Sequence, residues 1–178
     1  ANMMGMSKRT LYEMFGDKEE LLYESIVHHR EKMHRVLKER ADVCDNVLEM
    51  VLICFLEIFS RWDMSEWRLM NNMKKFYPKI YERVTKTFTE QGLAGLKSIL
   101  IESRKEGYLP GNVDIELVTM VFFQTSAMFM REYNIMLPEG VTREDAYGCM
   151  AVNFLRGVSS LKGIKIIDEI LSRDEYRY

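Results

Sequence analysis

Cysteine is scarce in this chain of 178 residues: Cys44, Cys54 and Cys149 make an odd number with no Cys-x-x-Cys spacing. Neither a disulfide framework nor a zinc knuckle is indicated, and a reducing, cytoplasmic setting fits best. Long apolar runs are missing as well. Val118 to Phe123 is interrupted by Gln124 and Val51 to Phe59 by Glu57, well short of the roughly 20 apolar residues a membrane helix needs; no membrane partner and no signal peptide are expected. Charge of one sign is absent too. With 25 Lys plus Arg against 27 Asp plus Glu, the formal net charge is -2, so any basic surface must be local. Residues 1 to 40 hold 8 basic and 7 acidic side chains, an excess too small to assign a partner. There is no G-x-S-x-G, H-E-x-x-H or Walker loop, and the Gly157 to Gly163 run lacks the Gly-Lys-Ser/Thr ending of a phosphate loop. His28, His29 and His34 do not converge on one helix. No enzyme, catalytic residue, metal site or cofactor is expected.

Proline and glycine are few, three and ten, and their clusters punctuate apolar patterns of helical period. No alternating strand pattern occurs, so the fold class is all-α. From Lys18 to about Arg40, Leu22, Ile26, His29, Met33 and Val36 form one seam, with His29 expected in the core. Asn46 to Trp62 is apolar nearly all round, the pattern of a buried central helix. Asp63 with Glu66 should cap a shorter helix reaching Phe76, and Pro78 suits the first turn of a helix running to about Glu106. Its inner side carries Tyr81, Val84, Phe88, Leu96, Ile99 and Leu100, and Gly92 and Gly95 mark close approaches. Asp114 caps a helix expected to stop at Pro138. Thr142 and Asp145 open another, expected to run to Lys162, and Lys165 to about Arg173 closes the chain.

The N-terminal stretch is the most specific. Gly5 permits a tight turn, Ser7 is a good N-cap, and a short helix starting at Lys8 would point Leu11, Met14 and Phe15 inward while Lys8, Arg9, Tyr12 and Glu13 face out. Gly16 ends it, and Asp17 with Glu20 reads as a capping box for the next helix. The run Gly-Met-Ser-Lys-Arg-Thr-Leu-Tyr-Glu-Met-Phe (5–15), followed by Asp-Lys-Glu-Glu-Leu-Leu (17–22), resembles the end of the DNA-binding domain of the tetracycline repressor (TetR) family: turn, recognition helix and cap of the following helix. The helix order of the remainder, and the run Phe-Leu-Arg-Gly-Val-Ser-Ser-Leu-Lys-Gly (154–163), are more loosely similar to that family's ligand-binding and dimerisation domain.

The resemblance implies a partial helix-turn-helix domain with linking helix over residues 1–40, its first helix lying outside the chain, and a helical ligand-binding and dimerisation domain over 41–178. It implies a homodimeric, ligand-responsive regulator that binds a double-stranded DNA operator, most simply as a repressor. Lys8 and Arg9 would then reach base edges, and Ser7, Thr10, Tyr12 and Lys18 would hold phosphates. The 14 methionines, nine Phe and nine Tyr fill a helical core or line a pocket for an apolar or aromatic effector around Phe55, Phe59, Phe88, Phe122 and Phe129. Surplus apolar surface on the last two long helices, at Phe123, Met130, Met150, Phe154 and Val158, points to a two-fold four-helix interface, with Gly148, Ala151 and Gly157 admitting a partner helix. The alternative is an all-α dimeric small-molecule-binding or interaction module that never touches DNA.

Overall fold

A computed structural model describes the backbone of residues 7, 13, 15–60, 64–131 and 135–173, and the side chains of all of these except 57–60, 64–67 and 130–131. The helices are α1 (Lys18–Ala41), α2 (Val47–Ser60), α3 (Met64–Phe76), α4 (Pro78–Lys105), α5 (Ile115–Arg131), α6 (Arg143–Val158) and α7 (Leu161–Leu171). No strand occurs among the described residues, and the fold is all-α.

Local sequence chemistry sets most helix starts. Gly16 takes a left-handed conformation at φ 70°, which a side chain would disfavour. Asp17 then accepts the Glu20 amide at 2.8 Å. Asn46 accepts the Glu49 amide at 2.9 Å and the Glu49 carboxylate accepts the Asp45 amide at 3.0 Å. Asp114 accepts from Leu117 at 3.0 Å. Thr142 and Asp145 close a reciprocal capping box, and the two hydrogen bonds from Thr142 hold the Asp145 carboxyl below its usual range.

As its composition requires, α2 is central. It packs on α1, α4, α6 and α7, burying Leu48, Val51, Leu52, Ile53, Phe55 and Leu56. Two apolar clusters result. The larger joins α2 to the second half of α4 (Leu96, Leu100), to α5 (Phe122, Phe129), to α6 (Tyr147, Ala151, Leu155) and to α7 (Ile167, Ile170). The smaller joins α1 (Ile26) to α3 (Met73) and the first half of α4 (Ile80, Val84). The 28-residue α4 therefore belongs to both.

Several sequence expectations need correction. The helix expected to reach Pro138 has its bound at Arg131, residues 135–138 are not helical, and Met136 is 98 % exposed. A proline disfavours the helical conformation of the residue before it and clashes with the carbonyl four back, so the helix must stop earlier than the ring itself. The helix expected to reach Lys162 is broken at Ser159 and Ser160, both extended (ψ 152° and 169°). Ser160 is held there by distant partners: its amide donates to the Tyr108 carbonyl at 2.7 Å, its hydroxyl donates to the Gly107 carbonyl at 2.7 Å, and the same oxygen accepts the Gly163 amide as the N-cap of α7. Gly163 lies within α7 instead of ending a helix. A Cβ there would come within 2.5 Å of the Tyr108 carbonyl oxygen, so glycine is what lets the α4–α5 loop approach. His29 is exposed and not in the core. Gly92 is the close approach expected, against Phe123, whereas a Cβ at Gly95 would meet nothing within 4 Å.

Candidate functional site

Three regions answer to the residues singled out in the sequence. In the first, the segment expected to meet DNA, Lys8, Arg9, Thr10 and Tyr12 lie outside the described residues, and Ser7 is exposed. Lys18 is the first residue of α1, exposed, with Nζ 5.3 Å from the centroid of the Tyr77 ring at the α3–α4 corner. Glu20 was expected to complete a capping box; its carboxylate instead accepts from Arg83 Nη1 on α4 at 3.0 Å. The same guanidinium lies over the Tyr23 ring at 3.6 Å. The first turns of α1 are thus anchored to α4 through Glu20 and Tyr23, an arrangement that needs two helices and shows in neither alone.

The second region is the aromatic core. Phe55 and Phe122 stack with ring centroids 4.0 Å apart, Phe154 lies 5.0 Å from Phe122, and Phe129 meets Tyr147 edge-on at 5.7 Å. These rings fill the volume that a pocket among them would need. Tyr147 is buried there with its hydroxyl 3.3 Å from Ser126 Oγ, and burial pushes its phenol up to about 12. The Phe59 side chain lies outside the described residues. Phe88 packs with the smaller cluster, not with Phe55, Phe122 and Phe129.

Open volume lies beside Phe88 instead. A groove of about 240 Å³ runs between α1, α3 and α4. Leu22, Ile26, Leu69, Met70, Val84 and Phe88 give it an apolar floor and walls, and α1 adds Ser25, His29 and Arg30. The Arg30 guanidinium lies 4.4 Å from the Phe88 centroid. The sequence signal that could have found it was the His-Arg pair on the seam of α1.

The third region is the face of α5 and α6. Phe123, Met150, Phe154 and Val158 are each half-buried within the protomer, and Gly148 and Ala151 are buried. The Met130 side chain lies outside the described residues. Instead, Leu117 (60 % exposed), Met120, Val121 and Met128 present one apolar stripe along α5 at helical spacing. The neighbouring α6 exposes Cys149, Asn153 and Gly157, with a Cβ at Gly157 meeting nothing within 4 Å.

No helix among the described residues is long and apolar enough to cross a membrane, and no three His, Cys, Asp or Glu side chains among them could hold a metal ion together.

These features define an all-α bundle in which one long helix joins a glycine-turned N-terminal segment to a grooved helical core. No protein-family model matches the chain, and no curated protein matches it in sequence. Among solved structures it is similar to the ketosteroid transcriptional regulator KstR2 of Mycobacterium tuberculosis, with a TM-score of 0.60 and 18 % identity over 90 % of this chain and 82 % of that one. At that identity the likeness is one of fold.

Proposed function

We propose that this chain is a ligand-responsive, DNA-binding transcriptional regulator of the TetR type that works as a homodimeric repressor in the cytoplasm. The observation that carries the reading is the course of α1. It leaves the helix-turn-helix-like run at the Gly16–Asp17 break, is anchored to α4 by Arg83 within its first turns, and then forms one wall of the groove. A molecule wedged between α1 and the α3–α4 pair would move the segment that α1 carries. The fold likeness to a transcriptional regulator supports the same reading.

In this reading residues 1–40 are the DNA-reading part and 41–178 the effector-binding and dimerising part. Lys8 and Arg9 read base edges, Ser7, Thr10, Tyr12 and Lys18 hold phosphates, and the α5 stripe with α6 forms the two-fold seam. Two copies are needed because a single helix-turn-helix reads too few base pairs to discriminate. The effector shifts operator affinity only by binding one spacing of the two reading segments better than the other.

Selection from random duplexes followed by footprinting and salt titration tests this. Affinity should fall steeply with salt as phosphate contacts release counterions. Arg9→Ala should relax sequence preference, whereas Tyr12→Phe and Lys18→Ala should weaken binding to all sequences alike. A footprint and salt slope identical to those of a variant lacking Lys8, Arg9 and Lys18 would overturn the assignment.

A further inference from the structure

The groove between α1, α3 and α4 also has a chemistry. Its deep end is apolar: Val84 is fully buried and Ile26 buried, with Leu22, Met70 and Phe88 beside them. Its exposed end carries His29 and Arg30, and no acidic side chain lines it among the described residues. A neutral apolar guest would leave that cationic end without a counterpart, and a highly charged guest would be poorly served by the floor.

We propose that the groove binds a small amphipathic carboxylate, its apolar tail between Ile26, Met70 and Val84 and its carboxylate at Arg30 and His29. This rests on the reading above that the groove holds the effector, and it adds what the effector is. The guanidinium of Arg30 stacks on Phe88 through its face, and its N–H donors lie in its own plane, where a carboxylate meets them edge-on. Keeping the head at the exposed rim avoids the cost of burying an anion in an apolar site. The volume of about 240 Å³ is below the roughly 300–1,000 Å³ of pockets for drug-sized ligands, so the tail is a single ring or a short chain. Such a guest touches α1 on one side and α3 and α4 on the other, and therefore sets their separation.

Calorimetry with octanoate and its uncharged isostere octanamide, without DNA, tests the site. Octanoate should bind saturably and octanamide at least about tenfold more weakly, as expected when a charge-assisted contact is lost. Arg30→Gln should bring octanoate down to the octanamide value while leaving octanamide unchanged. Ser25→Phe, which fills the groove from an exposed position on α1, should abolish both, with helix content by circular dichroism unchanged. Equal affinities for the two probes, octanoate binding untouched by either substitution, or no octanoate binding would each overturn the proposal. Because the readout contains no DNA, a protein that takes octanoate through Arg30 yet ignores every duplex would remove the regulator reading and leave the site. A protein that binds an operator but no octanoate would do the reverse.

Discussion

Glu49, 3 % exposed in the first turn of α2, receives a hydrogen bond from Nη1 of Arg173 at 2.5 Å across 124 residues of sequence. Nη2 of the same guanidinium reaches Asp45 at 3.4 Å. The chain's last described residue is thereby fastened to the start of its central helix.

Removing one partner of a buried pair costs more than the pair contributes, since the remaining charge stays out of water. Arg173→Met should lower unfolding free energy by about 1–3 kcal/mol, the lower part of that range being favoured because the arginine side chain is 40 % exposed. Adding Glu49→Gln should recover part of the loss. Denaturant melts of the two single variants and the double variant measure the coupling.

Gly92 and Gly95 lie one turn apart on α4 and should respond oppositely to alanine. At Gly92 the new Cβ would stand 2.6 Å from Phe123 Cε2, an overpacking expected to cost about 1–3 kcal/mol and to be relieved by Phe123→Leu. At Gly95, where nothing lies within 4 Å, Gly→Ala should stabilise by about 0.5–1 kcal/mol through helix propensity. Thermal melts of the pair decide it.

Burial raises the Tyr147 phenol from 10.0 to about 12. A folded-state pKa above the unfolded one means the folded state keeps its proton longer. The resulting stability is fully present below pH 10 and is lost as pH rises from 10 through about 12. Ultraviolet titration should show one late-ionising tyrosine that disappears in Tyr147→Phe, and that variant should lose less stability across the same window.

The seam between copies is expected to run along Leu117, Val121 and Met128. Val121→Glu should yield monomers by sedimentation that keep their melting temperature and lose operator binding. Phe154→Glu should act differently, because that ring lies 5.0 Å from Phe122 in the protomer's own core: it should lower the melting temperature. A Val121→Glu protein that remains dimeric would place the seam elsewhere.

Features decided within one turn were legible in the sequence. Asp17, Asp114 and Thr142 cap the helices they precede, and the sparse polarity of α2 marks it as central, because a cap or an apolar surface is a property of a few adjacent residues. Features decided by a distant partner were not. Ser160 reads as an ordinary helix residue until the Gly107 and Tyr108 carbonyls are beside it. Phe88 shares a helical stripe with Leu96 and Leu100, yet α4 is long enough to serve two clusters, so the stripe could not say which aromatic rings Phe88 joins. His29 has the spacing of a core residue, but α1 outlasts the neighbours that would bury it and leaves it exposed at the groove's rim. The α5 stripe was misplaced for a related reason: Phe123 and Phe154 are the larger residues, and it is the larger residues that the protomer buries first.

The central position of α2 also bears on how the chain is made. Leu48, Val51 and Leu52 are fully buried, but α6 and α7, which supply Tyr147, Leu155 and Ile167 to the same cluster, are synthesised last. At roughly 5–20 residues per second, α2 spends on the order of 5–20 s outside the ribosome before those partners emerge. The smaller cluster suffers no such delay, because α1, α3 and the first half of α4 follow one another closely. The nascent chain therefore carries an early-formed grooved half and, beside it, an apolar helix without most of its cover. That helix is the segment a holdase chaperone would meet, and a chain released before α7 would expose it permanently.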